Sequence, residues 1–203
     1  MDLMKILITG ANGFVGSNVT NYLQKSFSIN CLVRDIEYIN NSATVFYFKH
    51  YQDSSIEDSI KNVDAVVHIA SMIHGNKEKM TSFNVDFTNR LLSLCSKYKI
   101  NHFIYISTEN TEHNLKDIYT ITKKKAEELT RKYFHHTILK PTIIYGKGDK
   151  KYLGKLIGII RKYPIIPVLG DGSNRFQFVN IVDLCTIIQK SIENKIYGTY
   201  GNN

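Results

Sequence analysis

The chain has 203 residues, of which 43% are hydrophobic and 22% are charged, and this composition is typical of a folded globular protein rather than a disordered one. The formal net charge is +8, but the basic residues are mostly lysines interleaved with acids, and no RNA- or DNA-binding signature is present, so we expect no nucleic-acid partner. No apolar run is long enough for a membrane span and the first residues lack a signal-peptide pattern, so we expect no membrane partner and a cytoplasmic location.

Apolar runs alternate with amphipathic segments over the first part of the chain. The apolar runs predict strands at 5–10, 29–35, 44–48, 64–70, 102–108 and 137–140. The amphipathic segments predict helices at 14–27, 54–63, 88–98 and 117–133. Strands that are apolar almost throughout are expected when helices cover both faces of a parallel sheet. We therefore predict a doubly wound α/β domain over residues 1–145.

Pro141 ends the last predicted strand, the sequence changes character after the segment KPTIIYGKGD, and we treat residues 146–203 as a second region. A basic segment at 150–163 predicts a helix, and Gly170–Asp171–Gly172 predicts a turn. A further helix is predicted at 181–193, and the last residues have the pattern of a strand that is beginning.

The cysteines and histidines do not predict a metal site. Cys31, Cys95 and Cys185 are far apart in apolar sequence, and no CxxC motif is present. His135 and His136 are adjacent, so on a strand their side chains would point to opposite faces. We expect buried free thiols and no bound metal.

A glycine-rich turn, TGANGFVG, follows the first predicted strand and begins the first predicted helix. Glycine permits a tight turn and a close approach of the backbone to a pyrophosphate, and the helix N-terminus offers N–H groups to the phosphates. We therefore predict a dinucleotide-binding turn formed by Gly10, Asn12, Gly13, Phe14, Val15 and Gly16.

The end of the second predicted strand bears on the choice between NAD and NADP. An acidic residue at this place binds a ribose 2′-hydroxyl, whereas an arginine accepts a 2′-phosphate. This chain has Arg34 followed by Asp35, and Arg34 comes directly after the strand. We expect NADP or NAD as the cofactor, with a slight preference for NADP; the alternative is a surface salt bridge between the two neighbours.

Tyr119 and Lys123 lie four residues apart in the predicted helix 117–133. Such residues share a helix face, and a nearby ammonium lowers the pKa of a phenol from its usual value of about 10. The pair is therefore either an acid–base pair or part of a solvated face that carries a tyrosine. Lys124 and Lys125 lie off this face, and we expect them to be solvated.

Seven segments of the chain together resemble one known family. They are TGANGFVG, DAVVHIA, FNVDFTN, YIST, YTITK followed by AEE, LKPTIIYGKGD and GDGSNRFQFVNIVDL. Their order resembles that of the extended short-chain dehydrogenases/reductases, the NAD(P)-dependent epimerase/dehydratase group, which acts mostly on nucleotide sugars. The resemblance implies a Rossmann-like fold, a nucleotide-sugar substrate and a small, truncated substrate-binding region at 146–203.

The resemblance also implies roles for individual residues. Tyr119 would be the catalytic acid/base, Lys123 would assist it and bind the cofactor ribose, and Thr108 would bind the reacting oxygen of the sugar. Further cofactor contacts are implied for Ile69, Ala70, Ser71, Ser107 and Pro141. Substrate contacts are implied for Asn84, Thr108, Glu109 and Arg175. Asn84 could instead be a helix N-cap, and Arg175 could be a charge of a surface loop.

The residues after Thr108 bear on the type of reaction. In the 4,6-dehydratases of the family an Asp-Glu pair supplies the acid and the base for water loss, whereas this chain has Glu109–Asn110. With an amide at the position of the base, we expect an epimerase or a 4-keto-sugar reductase, with hydride transfer at C4, rather than a 4,6-dehydratase. A cofactor-binding module without turnover, and a reductase of a non-sugar carbonyl, are the alternatives.

Two further expectations come from the same resemblance. The helices at 88–98 and 117–133 would supply the interface of a homodimer. The usual Arg-Pro of the family is Lys140–Pro141 here, a change that we expect to be mild.

Overall fold

The computed structural model describes residues 3–35, 42–113, 115–150, 153–163, 171, 173 and 176–201. The strands of these ranges are β1 (Lys5–Thr9), β2 (Ser28–Val33), β3 (Thr44–Tyr47), β4 (Ala65–His68), β5 (His102–Ile106), β6 (His136–Leu139), β7 (Ile143–Tyr145), β8 (Phe178–Asn180) and β9 (Gly198–Tyr200). The α-helices are α1 (Phe14–Leu23), α2 (Ser54–Ile60), α3 (Lys77–Thr81), α4 (Phe87–Lys97), α5 (Ile118–Arg131), α6 (Leu153–Lys162) and α7 (Ile181–Glu193).

Seven of these strands form one sheet in the order β3-β2-β1-β4-β5-β6-β9, and all of its neighbours are parallel. The strand order reverses between β1 and β4, so the chain winds outward from the centre in both directions. Crevices at the carboxyl ends of the strands next to such a reversal are the usual ligand sites of this architecture. The doubly wound, Rossmann-like fold that the sequence predicts is confirmed.

Helices cover both faces of the sheet, which explains why its strands are apolar almost throughout. Successive strand residues point to opposite faces, so Ile6 and Ile8 pack with α1 and α7, while Leu7 packs with α2, α4 and α5. Ile6, Leu7 and Ile8 are all fully buried.

The helical structure before β5 begins earlier than the segment 88–98 that the sequence indicates. It starts at Lys77, where the Asn76 side chain caps α3 by accepting a hydrogen bond from the N–H of Lys79 at 2.9 Å. A π-helical segment, Ser82–Asp86, then joins α3 to α4. Segments of this kind are frequent at functional sites, and here Asn84, inside the segment, is hydrogen-bonded to Met72 in the loop after β4.

The end of the described chain packs with the main sheet. Ile181, Leu184 and Ile188 of α7 lie in the same core as α1, and β9 pairs with β6. The pair β7–β8 forms a separate two-stranded sheet with Ile143 opposite Phe178. Residues 181–200 are thus part of the sheet domain, although the sequence assigns them to the region 146–203, because apolar spacing does not reveal which body a helix covers. The substrate-binding role of that region stays a prediction.

The three cysteines are buried free thiols, as the sequence predicts. Burial raises the pKa of Cys185 to about 11 and raises that of Cys95 further. Within the described ranges, His, Cys, Asp and Glu side chains form no group of three or more that could hold a metal ion. None of the helices seen in those ranges has both the length and the apolar character that a membrane crossing needs.

Candidate functional site

The glycine-rich turn between β1 and α1 is packed so tightly that side chains are excluded from it. Gly10 has a φ of +72°, and a Cβ there would lie 2.9 Å from the Cα of Ala70. A Cβ on Gly16 would overlap the carbonyl oxygen of Gly10. The turn therefore brings bare backbone to the carboxyl edge of the sheet, directly beside the end of β4.

Helix α1 begins at this turn without a side-chain cap. Gly13 is its N-cap residue, and Asn12 and Gly13 are exposed, while Phe14 and Val15 are half-buried. The ends of helices are satisfied by side chains, water or ligands, and an N-terminus free of a capping side chain suits an anion. The exposed backbone and the glycine cradle fit the diphosphate of a dinucleotide.

A buried histidine fixes the wall of the cleft after β4. The hydroxyl oxygen of Thr9 accepts hydrogen bonds from the N–H groups of Ile69 (3.2 Å) and Ala70 (3.1 Å). Its own proton therefore goes to Nδ1 of His68, 2.7 Å away. Two of the residues predicted to contact the cofactor, Ile69 and Ala70, are thus held by Thr9 and His68.

His68 continues this chain of hydrogen bonds toward the helices. Its Nε2–H donates to the hydroxyl of Thr88 at 2.9 Å, and that hydroxyl donates to the carbonyl of Asn84 at 2.7 Å. Burial, and then the charge of Lys123, lowers the pKa of His68 to about 3, so the ring is neutral. Sequence reasoning missed this residue; its signal was a polar residue in an otherwise apolar strand.

Asn84 braces the loop that follows β4. Its Oδ1 accepts from the N–H of Met72 at 2.7 Å and from the Ser71 hydroxyl at 3.4 Å. Its Nδ2 donates to the carbonyl of Met72 and to the hydroxyl of Thr122, both at 3.0 Å. The alternative of a helix N-cap is wrong, because Asn84 lies inside the π-helical segment and the cap is Asn76. The predicted substrate contact of Asn84 stays a prediction, and its side chain is buried against protein.

The three predicted catalytic residues come from β5 and α5. Thr108 follows the carboxyl end of β5, is half-buried, and accepts the N–H of Asn110 at 3.4 Å. Asp117 caps α5 by accepting the N–H of Thr120 at 2.9 Å. This cap places the half-buried Tyr119 in the first turn of the helix and Lys123 one turn later on the same face.

Lys123 is buried, with only 1% of its surface exposed. Its Nζ donates to the carbonyl of Ile106 at 2.7 Å and lies 4.1 Å from the centroid of the Tyr105 ring. Burial lowers its pKa to about 7, against the opposing charge of Glu127. The solvated-face alternative is thus wrong for Lys123, whereas Lys124 is exposed as expected. From the sequence we expect Lys123 to be a permanently charged ammonium, whereas with this pKa its amine gains or loses a proton near neutral pH.

A buried ion pair lies behind the residues predicted to be catalytic. The Glu127 carboxylate accepts hydrogen bonds from the hydroxyls of Ser107 and Thr111, the latter at 2.7 Å. Its second oxygen lies 2.9 Å from Nζ of Lys140 and 3.2 Å from Arg131. Ser107, a predicted cofactor contact, is therefore bonded to Glu127 and holds the segment before Thr108 in place.

Two buried polar atoms at this edge have no hydrogen-bond partner among the described residues. They are Oε2 of Glu109 and the hydroxyl oxygen of Thr142. The N–H of Glu109 donates to the carbonyl of the buried Pro141 at 3.2 Å, which joins the two segments. Glu109 directly follows Thr108 in the chain, so its unbonded carboxylate oxygen is placed to meet a bound ligand.

Arg34 lies at the corner of the cleft, directly after β2. Its guanidinium carbon is 4.2 Å from the centroid of the Phe83 ring, and partial burial lowers its pKa. The side chain nevertheless stays exposed to solvent. Arg175, the other predicted cationic contact, lies outside the described residues.

The helices predicted to form a dimer interface present mainly polar side chains to solvent. Exposed residues are Asn89, Ser93, Ser96 and Lys97 on α4, and Lys124, Lys125, Glu128 and Arg131 on α5. Ile118 and Ile121 are exposed apolar residues near the start of α5. The homodimer stays a prediction.

Comparison with known proteins gives one family match. The family model described as "NAD dependent epimerase/dehydratase family" matches residues 6–200. A dTDP-D-glucose 4,6-dehydratase of Dictyostelium discoideum is 29% identical, over 90% of this chain and 54% of that protein. This chain thus spans about half the length of that relative.

Solved structures share the fold. The Bordetella bronchiseptica enzyme WbmG, solved in complex with NAD, has a TM-score of 0.86 at 17% identity, over 100% of this chain and 73% of that chain. A UDP-N-acetylglucosamine 4-epimerase from Methanobrevibacter ruminantium M1, in complex with UDP-N-acetylmuramic acid, has a TM-score of 0.81 at 18% identity, over 98% of this chain and 76% of that chain.

Proposed function

Because the chain belongs to the NAD dependent epimerase/dehydratase family, we propose that it binds NAD or NADP and catalyses hydride transfer at C4 of a nucleotide-linked hexose, as an epimerase or a 4-keto-sugar reductase. The observation that carries this proposal is the burial of Lys123 on the helix face of Tyr119, with its Nζ bonded to the carbonyl end of β5 just before Thr108. Burying a lysine whose pKa is lowered to about 7 reduces the stability of the folded state, and groups with such shifted pKa values cluster at functional sites.

Backbone and side chains at the carboxyl edge would hold the cofactor. The glycine turn and the start of α1 would bind its diphosphate, Arg34 would bind a 2′-phosphate where one is present, and the wall of Ile69 and Ala70 would bound the nicotinamide side. A bound nicotinamide dinucleotide would supply the hydride acceptor or donor. The chain itself supplies position and charge.

Tyr119 would move the proton of the reacting hydroxyl. At neutral pH a free phenol is a weak base, and a positive charge nearby favours its ionised form. Lys123 can supply that charge and, because its pKa lies near 7, can also give up a proton within the working range. The Thr108 hydroxyl accepts one backbone N–H and still has a proton with which to bind the sugar oxygen.

A 4,6-dehydratase is the second candidate, favoured by the name of the Dictyostelium relative. Water loss needs an acid and a base in addition to hydride transfer, and Glu109 could serve as one of them. The neighbouring residue is Asn110, which is exposed, carries a side-chain amide, and donates its backbone N–H to the hydroxyl of Thr108. An amide cannot act as the base, which is why we prefer epimerisation or reduction.

A product assay separates these activities. The purified chain is incubated with UDP- and dTDP-linked hexoses and 4-keto-hexoses, together with NAD(H) or NADP(H), and the sugars are analysed by mass and stereochemistry. We expect a C4 epimer or a reduced 4-keto sugar, and a Tyr119→Phe variant that is slower by about 10²–10⁴-fold. Tyr22→Phe, whose hydroxyl bonds Thr186 in the α1–α7 layer, is the matched control and keeps its activity.

Other products would overturn the proposal in distinct ways. A 4-keto-6-deoxy sugar would establish the dehydratase. Cofactor binding without conversion of any sugar would indicate a binding module without turnover.

A further inference from the structure

Phe83 supports the only arginine found beside the cofactor cleft among the described residues. The guanidinium carbon of Arg34 lies 4.2 Å from the centroid of the Phe83 ring, which is a stacking distance. Phe83 belongs to the π-helical segment between α3 and α4, and it is separated from Arg34 along the chain by β3, α2, β4 and α3. The contact therefore depends on the fold and not on local sequence.

The ring that supports Arg34 is itself held in place. Phe48 stacks on Phe83 with ring centroids 6.3 Å apart and an interplanar angle of 12°. The ring of Phe87 packs on both of these rings, with its centroid 4.9 Å from that of Phe48 and 5.5 Å from that of Phe83. Phe48 and Phe87 are buried, so this aromatic cluster fixes both the position and the tilt of the Phe83 ring.

The cluster lies where the ends of three strands are joined. The N–H of Gly10 donates to the carbonyl of Leu32 at 3.1 Å, which ties the glycine turn to the end of β2. The N–H of Phe48 donates to the carbonyl of Val33 at 3.1 Å, which ties the residue after β3 to the same place. Arg34 follows Val33 directly. The end of β2, just before Arg34, is therefore hydrogen-bonded both to the predicted phosphate turn and to Phe48 of the aromatic cluster.

An arginine supported in this way is better prepared to bind a phosphate than a free one. Its planar guanidinium can stack by one face while its N–H edge remains available to phosphate oxygens. Immobilising a long side chain on binding costs free energy, and a side chain already held in place avoids part of that cost. The solvent exposure of Arg34 leaves its edge accessible.

We propose that Phe83 is a positioning residue that makes the site selective for a dinucleotide with a 2′-phosphate, by holding the Arg34 guanidinium against its ring. This inference rests on the proposed function, since it requires a nicotinamide dinucleotide in the cleft. Phe83 acts through Arg34 and not by contact with the phosphate.

The test is a double-mutant cycle read by binding of NADPH and NADH to the full chain, followed by nicotinamide fluorescence. Arg34→Met, which loses a charge-assisted hydrogen bond, weakens NADPH binding by about 10–100-fold and NADH binding by less than about twofold. Phe83→Leu keeps an apolar side chain against Phe48 and Phe87 but removes the ring, and it weakens NADPH binding by about 3–10-fold with little effect on NADH.

The cycle distinguishes positioning from a general effect on the fold. In the Arg34→Met background, Phe83→Leu causes no further loss of NADPH affinity. Phe83→Tyr keeps the ring and keeps the NADPH affinity, and Phe134→Leu, at a side chain that is 88% exposed, changes neither dinucleotide.

Three results would overturn the inference. Equal losses for NADPH and NADH in Phe83→Leu, or the same loss with and without Arg34, would make Phe83 a structural residue only. If the wild-type chain binds NADH and shows no preference for NADPH, the site has no selectivity for a 2′-phosphate. The inference about Phe83 is then wrong, while the proposed function stands. Failure to bind either dinucleotide would contradict the proposed function as well.

Discussion

Two lysines of this protein are almost completely buried, and their surroundings differ. Lys140, at the end of β6, is ion-paired with the buried Glu127 at 2.9 Å and also with Glu112, and only 3% of its side chain is exposed. Lys123, on α5, has the carbonyl of Ile106 and the ring of Tyr105 around its Nζ. Among the described residues, no ion pair joins Lys123 to a carboxylate.

The difference separates a structural lysine from one suited to chemistry. A buried charge needs a partner, and Lys140 has two. In the part of the chain that the structure describes, Lys123 has no ion pair, and although the charge of Glu127 opposes the shift, burial lowers its pKa to about 7, so the folded state disfavours its charged form. A side chain that opposes folding is expected where function requires it, which agrees with its place beside Tyr119.

The largest effect is expected for Lys140→Met. The substitution leaves the carboxylate of Glu127 buried without its main counter-charge, and breaking a buried pair costs about 3–5 kcal/mol. The free energy of unfolding, measured by urea denaturation, should fall by that amount. The double variant Lys140→Met/Glu127→Gln should recover much of the loss, because no uncompensated charge remains. A loss below about 1 kcal/mol in the single variant would mean that the pair of Lys140 and Glu127 contributes no more to stability than a surface ion pair, which would contradict this prediction.

Lys123→Met should change stability in the opposite direction. The pKa of Lys123 is 10.5 in the unfolded chain and about 7 in the folded one, so wild-type stability falls as the pH is lowered from 10.5 toward 7. Methionine removes this dependence, and at pH 7 it should raise the free energy of unfolding by about 2 kcal/mol, because the loss of the bond to Ile106 offsets part of the gain.

The pH profile supplies the control for this second prediction. Denaturation at several pH values between 7 and 10 should show a slope in the wild type and in Lys124→Met, and a flatter profile in Lys123→Met. A destabilised Lys123→Met with an unchanged slope would mean that Lys123 is structural, as Lys140 is.

A smaller effect is expected at the start of the helix that carries both Tyr119 and Lys123. Asp117 caps α5 through the N–H of Thr120 at 2.9 Å, so Asp117→Ala should cost about 1 kcal/mol in thermal or urea unfolding. Asp117→Asn keeps the oxygen that accepts the hydrogen bond, and it should lower the free energy of unfolding by only about 0.2–0.3 kcal/mol. Equal losses in the two variants would show that the charge, and not the cap, is what matters.

The smallest effect is expected for Arg131→Gln. Arg131 bonds the same carboxylate as Lys140 does, at 3.2 Å, but 43% of its side chain is exposed, and exposed pairs contribute about 0–1 kcal/mol. Denaturation in low and high salt should show a small difference that disappears as salt screens the pair. A loss similar to that of Lys140→Met would remove the distinction between the buried and the exposed partner of Glu127.

The sheet and the phosphate turn could be predicted from the sequence because each follows from local pattern. Apolar runs such as that around Leu7 indicate strands covered on both faces, and Gly10 and Gly16 mark a turn in which Cβ atoms have no space. Four-residue spacing placed Tyr119 and Lys123 on one face for the same reason.

The remaining features depend on contacts between distant segments. The burial of Lys123 and the pairing of Glu127 with Lys140 arise only when α5 packs on β5 and β6. The stacking of Arg34 on Phe83 likewise joins β2 to the π-helical segment, which no local periodicity announces. Such contacts decide pKa values and selectivity, so these properties were not available from spacing alone.

The central claim is that Lys123 serves the cofactor and substrate rather than the fold, and one measurement tests it most directly. NADH and NADPH are titrated at pH 7 into the wild-type chain and into Lys123→Met, with nicotinamide fluorescence as the signal. We expect the wild type to bind, and the variant, although more stable, to bind about 10–100-fold more weakly, since a charge-assisted hydrogen bond to the cofactor ribose is lost. Equal affinities in the two proteins, or a wild type that binds neither dinucleotide, would contradict the account.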